Sequence, residues 1–97
     1  MIKSFRSQGA EDIYHGRMTR EARKSIPQPL WGIAWRKFDM LNAATSLTDL
    51  KVPPANRLES LKGALKGKYS IRINAQYRVV FDFRNSDAYE VAIVDYH

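Results

Sequence analysis

Three runs of residues near the C-terminal end of this chain constrain its fold more than any other feature. Tyr69, Ile71 and Ile73 alternate with Ser70, Arg72 and Asn74. Tyr77, Val79, Phe81 and Phe83 alternate with Arg78, Val80, Asp82 and Arg84, and Ala88 to Val94 is dense in β-branched residues. A period of two is the pattern of strands with one face buried. The links between the runs, Asn74-Ala75-Gln76 and Asn85-Ser86-Asp87, are short and rich in turn formers. A parallel return needs about a dozen residues or more, so these links make antiparallel hairpins.

Turn geometry then sets the register. With Ala75 at the centre of the first loop, Arg72 faces Arg78; with Ser86 at the centre of the second, Arg78 faces Val94. Asp95 and His97 fall beside the first turn, close to Arg78. Two arginines facing each other repel, so an anion is expected between them. Asp82, Asp95 and a bound phosphate are the candidates. A solvated strand face with local salt bridges is the plainer reading. Two features weigh against it. Residues 57–78 hold six basic side chains against one acidic one, Glu59. The chain also carries Asp95-Tyr96-His97 directly after a strong strand.

The earlier part of the chain supplies an edge and a cover. Residues 1–7 alternate as a short edge strand guarded by Lys3 and Arg6, and Gly9 breaks it. Ala10 to His15 reads as one or two helical turns that stop at His15-Gly16. Arg17, Arg20 and Lys24 share a face if residues 17–24 are helical. That face is either exposed or a ridge that contacts phosphates. A helix starting near Pro27 or Pro29 and ending near Ser46 places Leu30, Ile33, Ala34, Phe38, Leu41 and Ala44 on one apolar face. Trp31, Arg36 and Lys37 fall off that face or on its margin, and Trp35 and Met40 at the edge of the core. Leu47 to Leu50 is a connector, Pro53-Pro54 an extended passage, and Arg57 to Leu61 a possible first strand of the main sheet. Lys62-Gly63 and Lys66-Gly67 bracket a loop without the spacing of a phosphate-binding P-loop. The order β–α–α–β–β–β–β predicts an α+β domain over residues 1–97, with N-terminal helices packed on a twisted, mainly antiparallel sheet.

Charge narrows the class of partner. Sixteen basic residues against ten acidic ones give a net charge of +6, and the pI is about 9.8. A small domain with that balance suits a polyanion: nucleic acid, a membrane surface or an acidic protein. There is no cysteine, hence no disulfide, thiolate nucleophile or thiolate-held metal. His15 and His97 lie far apart in sequence and make no metal motif. No signal-peptide pattern opens the chain, and no run approaches the roughly 18 apolar residues of a membrane span. A cytoplasmic location with no membrane partner is expected.

The opening Met-Ile-Lys-Ser-Phe, the segment LKVPPANRLESLKG, the strand pair YSIRINAQYRVVF and the terminal AIVDYH resemble the HigB group of the RelE-like toxins. The resemblance runs from end to end. It implies the RelE-like microbial ribonuclease type of fold and a ribosome-dependent endoribonuclease that cuts mRNA in the A site of the small ribosomal subunit. The implied partners are the ribosome with its rRNA, the mRNA, and a helix-turn-helix antitoxin of the HigA type, with operator DNA reached only through the antitoxin complex. No cofactor and no metal are implied. The implied catalytic residues are Lys62, Arg78, Asp95, Tyr96 and His97, with Lys66, Lys68, Arg72, Arg17, Arg20 and Lys24 as contacts to RNA or ribosome. Some relatives carry histidine where this chain has Glu59, so the identity of the general base stays open.

Metal-free RNA cleavage uses the 2′-hydroxyl as nucleophile and leaves a 2′,3′-cyclic phosphate and a 5′-hydroxyl. It needs a base, an acid and positive charge on the phosphorane. The forked guanidinium of Arg78 matches phosphate oxygens, and Lys62 adds a point charge. The ordinary pKa of a histidine side chain, about 6.5, suits His97 to acid or base work. Asp95 orients His97 or accepts a proton, and Tyr96 stacks on a base. So small a catalytic set predicts weak activity on free RNA, with the ribosome supplying position. Two other readings compete: a non-catalytic RNA- or ribosome-binding module, which has no use for His97, and a structural subunit, which leaves the facing arginines without a role.

Overall fold

The computed structural model describes residues 1–96. Two short helices, α1 (Gln8–Tyr14) and α2 (Arg20–Ser25), precede the long helix α3 (Trp31–Ala43). Four strands follow: β1 (Glu59–Ser60), β2 (Tyr69–Arg72), β3 (Tyr77–Arg84) and β4 (Asp87–Asp95). They lie in the order β1-β2-β3-β4, each antiparallel to its neighbour. The α+β architecture holds, and so do the expected pairs Arg72–Arg78 and Arg78–Val94. The second turn is not centred on Ser86, however: Arg84 pairs with Asp87 across a two-residue turn at Asn85-Ser86, and the register shift between Val80 and Asp82 restores Arg78 opposite Val94. Asn74 fixes the first turn: its Oδ1 accepts from the backbone N–H groups of Gln76 (2.9 Å) and Tyr77 (2.8 Å).

The two faces of the sheet differ. Ile71, Val79, Phe81 and Val91 point into a core closed by Ile13, Ala34, Phe38 and Leu41 from the helices. The alternate residues Ser70, Arg78, Val80 and Ala92 leave the strands on the other face, yet they are buried too. A merely solvated face is therefore excluded.

The N-terminal segment departs from expectation. Residues 1–7 form no continuous strand; Ile2 and Phe5 make isolated parallel bridges to Ala88 and Val91 of β4. The cause lies in β4, where Glu90 takes φ 55° and the register against β3 shifts between Val80 and Asp82. A bulge of this kind breaks the ladder. Ser4 Oγ repairs the gap by accepting the N–H of Glu90 at 2.9 Å.

The helical layer needs further correction. Gly9 is not a breaker but sits inside α1, which Ser7 caps through the N–H of Ala10. A Cβ at Gly9 would meet Ser25 Oγ at 1.7 Å, so glycine here permits the close approach of α1 and α2. The helix in the basic run begins only at Arg20, with Thr19 as its cap. Arg17 therefore does not share a helical face with Arg20 and Lys24; it pairs with Asp12 at 3.2 Å. The hydroxyl of Thr19, then Gln8, then Arg17 stabilise the Asp12 carboxylate and hold its pKa below the usual range.

The long helix starts after a tight turn at Gln28–Leu30 and stops at Ala43, short of Ser46. Asp49 Oδ2 accepts from the N–H groups of Thr45 and Ser46 and starts a new turn at Leu47–Lys51 instead. Trp31, expected on the margin, is buried, and its indole N–H donates to Ile26 O. Lys37 is buried as well, with its ammonium on Asn56 Oδ1. Desolvation, followed by the neighbouring charge of Arg36, pushes the Lys37 pKa down. No helix among the described residues is long and apolar enough to cross a membrane.

Candidate active site

A cleft of about 210 Å³ opens on the sheet face away from the helices, lined by Arg57, Glu59, Arg72, Asn74, Ala75, Arg78 and Tyr96. Its centre is Arg78. The residue stands on β3, but its guanidinium reaches β1, two strands away. Nη1 donates to Glu59 Oε1 at 3.1 Å, and Nη2 donates to the carbonyl oxygen of Arg57. Arg57 presents that carbonyl because its backbone takes the left-handed conformation, φ 46°. The Arg78 guanidinium also lies 5.3 Å from the centroid of the Tyr96 ring, a cation–π distance.

The anion expected to offset the facing arginines is therefore Glu59. Neither earlier protein candidate fills the role: Asp82 pairs with Lys68 at 3.2 Å, and Asp95 accepts from Gln76 Nε2 at 3.0 Å. Arg78 is almost fully enclosed while Glu59 is half exposed, with side-chain accessibilities of 8% and 47%. Arg72 has no ion-pair partner among the described residues. Three arginines thus line the cleft against one carboxylate, and a dianionic or monoanionic oxygen cluster fits that balance. Two buried polar atoms beside it, Arg78 Nε and Ser70 Oγ, have no hydrogen-bond partner among the described residues.

Of the residues expected in the site, Arg78, Tyr96 and Arg72 meet in the cleft. Asp95 pairs opposite Tyr77, so its side chain leaves the strand on the face away from Arg78. Lys62, Lys66 and Lys68 surround the tight turn at Gly63–Leu65, beyond β1, and do not line the cleft. Gly63 and Gly67 have positive φ there, so glycine serves the loop's own geometry. Arg20 and Lys24 belong to the helical layer, so the basic residues fall on two surfaces. His97 lies outside the described residues. Arg57, Glu59, Ser70 and Asn74 were missed as site residues. Two sequence signals attach to Glu59: its place as the single acid among six bases, and the histidine that some relatives carry at its position. A larger cleft of about 350 Å³, lined by Tyr14, His15, Gly16, Trp35, Phe38 and Asp39, holds no arginine or lysine and does not suit a phosphate. Among the described residues, no cluster of His, Cys, Asp and Glu could hold a metal ion.

Residues 3–97 match the family described as the RelE-like toxin of the type II toxin-antitoxin system HigB. The chain is 37% identical over 83 residues to Toxin HigB-1 of Vibrio cholerae, covering 86% of this chain and 84% of that protein. It is 30% identical over 97 residues to Endoribonuclease HigB of Proteus vulgaris, over the full length of both. Among solved structures, a YoeB-YefM complex from Staphylococcus aureus contains a chain that superposes with a TM-score of 0.62 at 18% identity, covering 100% of this chain and 98% of that one. That likeness is one of fold.

Proposed function

The chain belongs to the family of RelE-like HigB toxins of type II toxin–antitoxin systems, and from that premise we propose that it is an endoribonuclease that cuts mRNA held in the ribosomal A site. The observation that carries the reading is the Arg78 fork, enclosed on one side and turned toward a cleft of net positive charge. A relative matched over its full length is named an endoribonuclease, which supports the same chemistry.

In the proposed reaction the scissile phosphate displaces Glu59 and the Arg57 carbonyl from the fork. The 2′-oxygen bonds to phosphorus and its proton passes to a base. The bond to the 5′-oxygen breaks, and an acid protonates the leaving oxygen. Glu59, released beside the phosphate, stands where a base is needed. His97 is proposed as the acid, with Asp95 placing it. Tyr96 stacks on a base or covers the arginine. Negative charge building on the phosphorane is met by Arg78 and Arg72, the kind of preorganised stabilisation that dominates such catalysis. Lys62, Lys66 and Lys68 are proposed as contacts to rRNA, and Arg17, Arg20 and Lys24 as a second such surface. The protein acts in the cytoplasm. Its neutralising partner is a helix-turn-helix antitoxin of the HigA type, a proposal consistent with the toxin–antitoxin complexes among structures of like fold.

The test is induced expression of the native chain, Arg78→Ala and His97→Ala, with mRNA 5′ ends mapped in arrested cells. Growth arrest by the native chain alone, with cuts inside translated frames, supports the reading. Arrest by His97→Ala at native strength points to a non-catalytic binding module. Purified protein that cuts naked mRNA as fast as ribosome-bound mRNA refutes the dependence on the ribosome.

A further inference from the structure

Arg78 reaches its partners by an uncommon route. Its fork meets Arg57 and Glu59, and β2 lies between β3 and β1. Strands stand about 4.8 Å apart, so β1 and β3 lie about 10 Å apart, and the side chain must pass over β2 to meet groups that reach back from β1. Register decides where it crosses. Glu59 is opposite Ser70, Ser70 is opposite Val80, and Arg72 is opposite Arg78. The guanidinium therefore crosses β2 between Ser70 and Arg72, with all of these side chains on one face. A small residue at 70 leaves that path open.

Ser70 does more than leave space. Its side chain is fully buried, and its hydroxyl has no hydrogen-bond partner among the described residues. The Nε–H of Arg78, on the residue that crosses beside it, is also buried and also unpartnered. One is a donor and the other can accept. Buried groups of this kind are almost always satisfied, and leaving both open opposes burial.

We propose that Ser70 is a positioning residue for Arg78: its hydroxyl accepts the Nε–H of Arg78, directly or through one buried water, when the fork engages an RNA phosphate. The inference rests on the reading of the cleft as an RNA-cleaving site. In the free protein the fork is held by Glu59 and the Arg57 carbonyl. When phosphate takes their place, the Ser70 contact is what keeps the guanidinium laid across the sheet. Ser70 touches no substrate, since it is fully enclosed.

The test uses Ser70→Ala in the full chain. Loss of an unpartnered hydroxyl leaves thermal stability unchanged or raised, so a fall in stability argues for a structural role alone. Cleavage of ribosome-bound mRNA should slow about tenfold in kcat with KM little changed, the size expected for one hydrogen bond to a charged group. Arginine-selective NMR with a 2′-O-methyl RNA strand, which cannot be cleaved, reads the contact directly. The Arg78 Nε–H should be protected from solvent exchange in the native complex and exposed in Ser70→Ala. In an Arg78→Lys background, which lacks Nε, Ser70→Ala should lower kcat no further. Equal exchange in both proteins, or an equal effect of Ser70→Ala in both backgrounds, overturns the inference while the nuclease reading stands. A native chain that neither binds nor cuts RNA overturns both.

Discussion

Arg78 and Glu59 meet at 3.1 Å across an intervening strand, the arginine enclosed and the glutamate half in solvent. The pair is thus open on the side of the carboxylate, where an incoming phosphate competes for the same nitrogen. Arg78→Ala should reduce mRNA cleavage by about 100- to 1,000-fold, and Arg78→Lys should restore little, because a point charge cannot replace the fork. Glu59→Gln should separate two effects. Removing the competing charge raises affinity for uncleavable RNA, while loss of the proton acceptor lowers kcat by about 100-fold. Binding and single-turnover cleavage on the same preparation check both; a glutamine variant with native kcat eliminates Glu59 as base.

Tyr96 covers the Arg78 guanidinium with its ring, not its hydroxyl. Tyr96→Phe should keep RNA affinity near native, and Tyr96→Ala should lower it about tenfold. Fluorescence anisotropy with labelled RNA measures the difference. A large loss in Tyr96→Phe instead assigns the hydroxyl a direct part in proton transfer or binding.

The lysines around the turn after β1 are not equivalent. Lys68 is tied to Asp82 at 3.2 Å, whereas no such pair engages Lys66 among the described residues. Lys66→Ala should weaken RNA binding and reduce the slope of log affinity against log salt by about one, and Lys68→Ala should do less. A salt titration of each variant decides it.

Asn56 supports the cleft from behind. It is fully buried, accepts the Lys37 ammonium and donates to the Leu50 carbonyl. Asn56→Ala leaves a buried cation and a carbonyl without that partner, and should cost about 2–4 kcal/mol of stability in urea unfolding. Because Arg57 follows directly, the variant should also lose cleavage beyond what its folded fraction explains.

Asp12 links α1 to the loop before α2 through Thr19, Gln8 and Arg17. Its pKa is lowered in the fold, so its contribution is complete above the unfolded value, near 4, and is lost as pH falls through the folded value. The melting temperature of Asp12→Asn should lie below native at neutral pH, and the gap should close in acid. A constant gap from pH 7 to pH 3 refutes the assignment. Asp49, also lowered by the backbone N–H groups of Thr45 and Ser46, adds a separate acid-sensitive contribution in both proteins.

What was legible in the sequence followed from local rules. A three-residue turn centred on Ala75 sets Arg72 opposite Arg78, as local rules imply; Arg78 faces Val94 as expected, but through a two-residue turn at Asn85-Ser86 whose offset the bulge near Glu90 makes good. What was illegible depended on contacts between distant segments. The bulge at Glu90 decides that residues 1–7 make two bridges and no strand. The contact with Ser25 decides that Gly9 belongs inside a helix. Glu59 escaped notice as the partner because pairing rules describe adjacent strands, and this ion pair skips one. Asp95 lies beside the first turn, one position from Arg78 as expected, but nearness along the chain is not the same as sharing a face: its pairing with Tyr77 sets it on the opposite one.

The crossing of β2 by Arg78 bears on how this site can be disarmed. Strand β1 is only two residues long, and the same side chain that faces the cleft also fastens that margin of the sheet. Inactivity at position 78 therefore mixes two losses, one of chemistry and one of architecture, and a dead variant made there is a poor stand-in for the native surface. A silent but faithful copy, suited to trapping a partner, is better sought in Glu59→Gln, whose amide oxygen can still accept from Arg78 and leave the fork in its place.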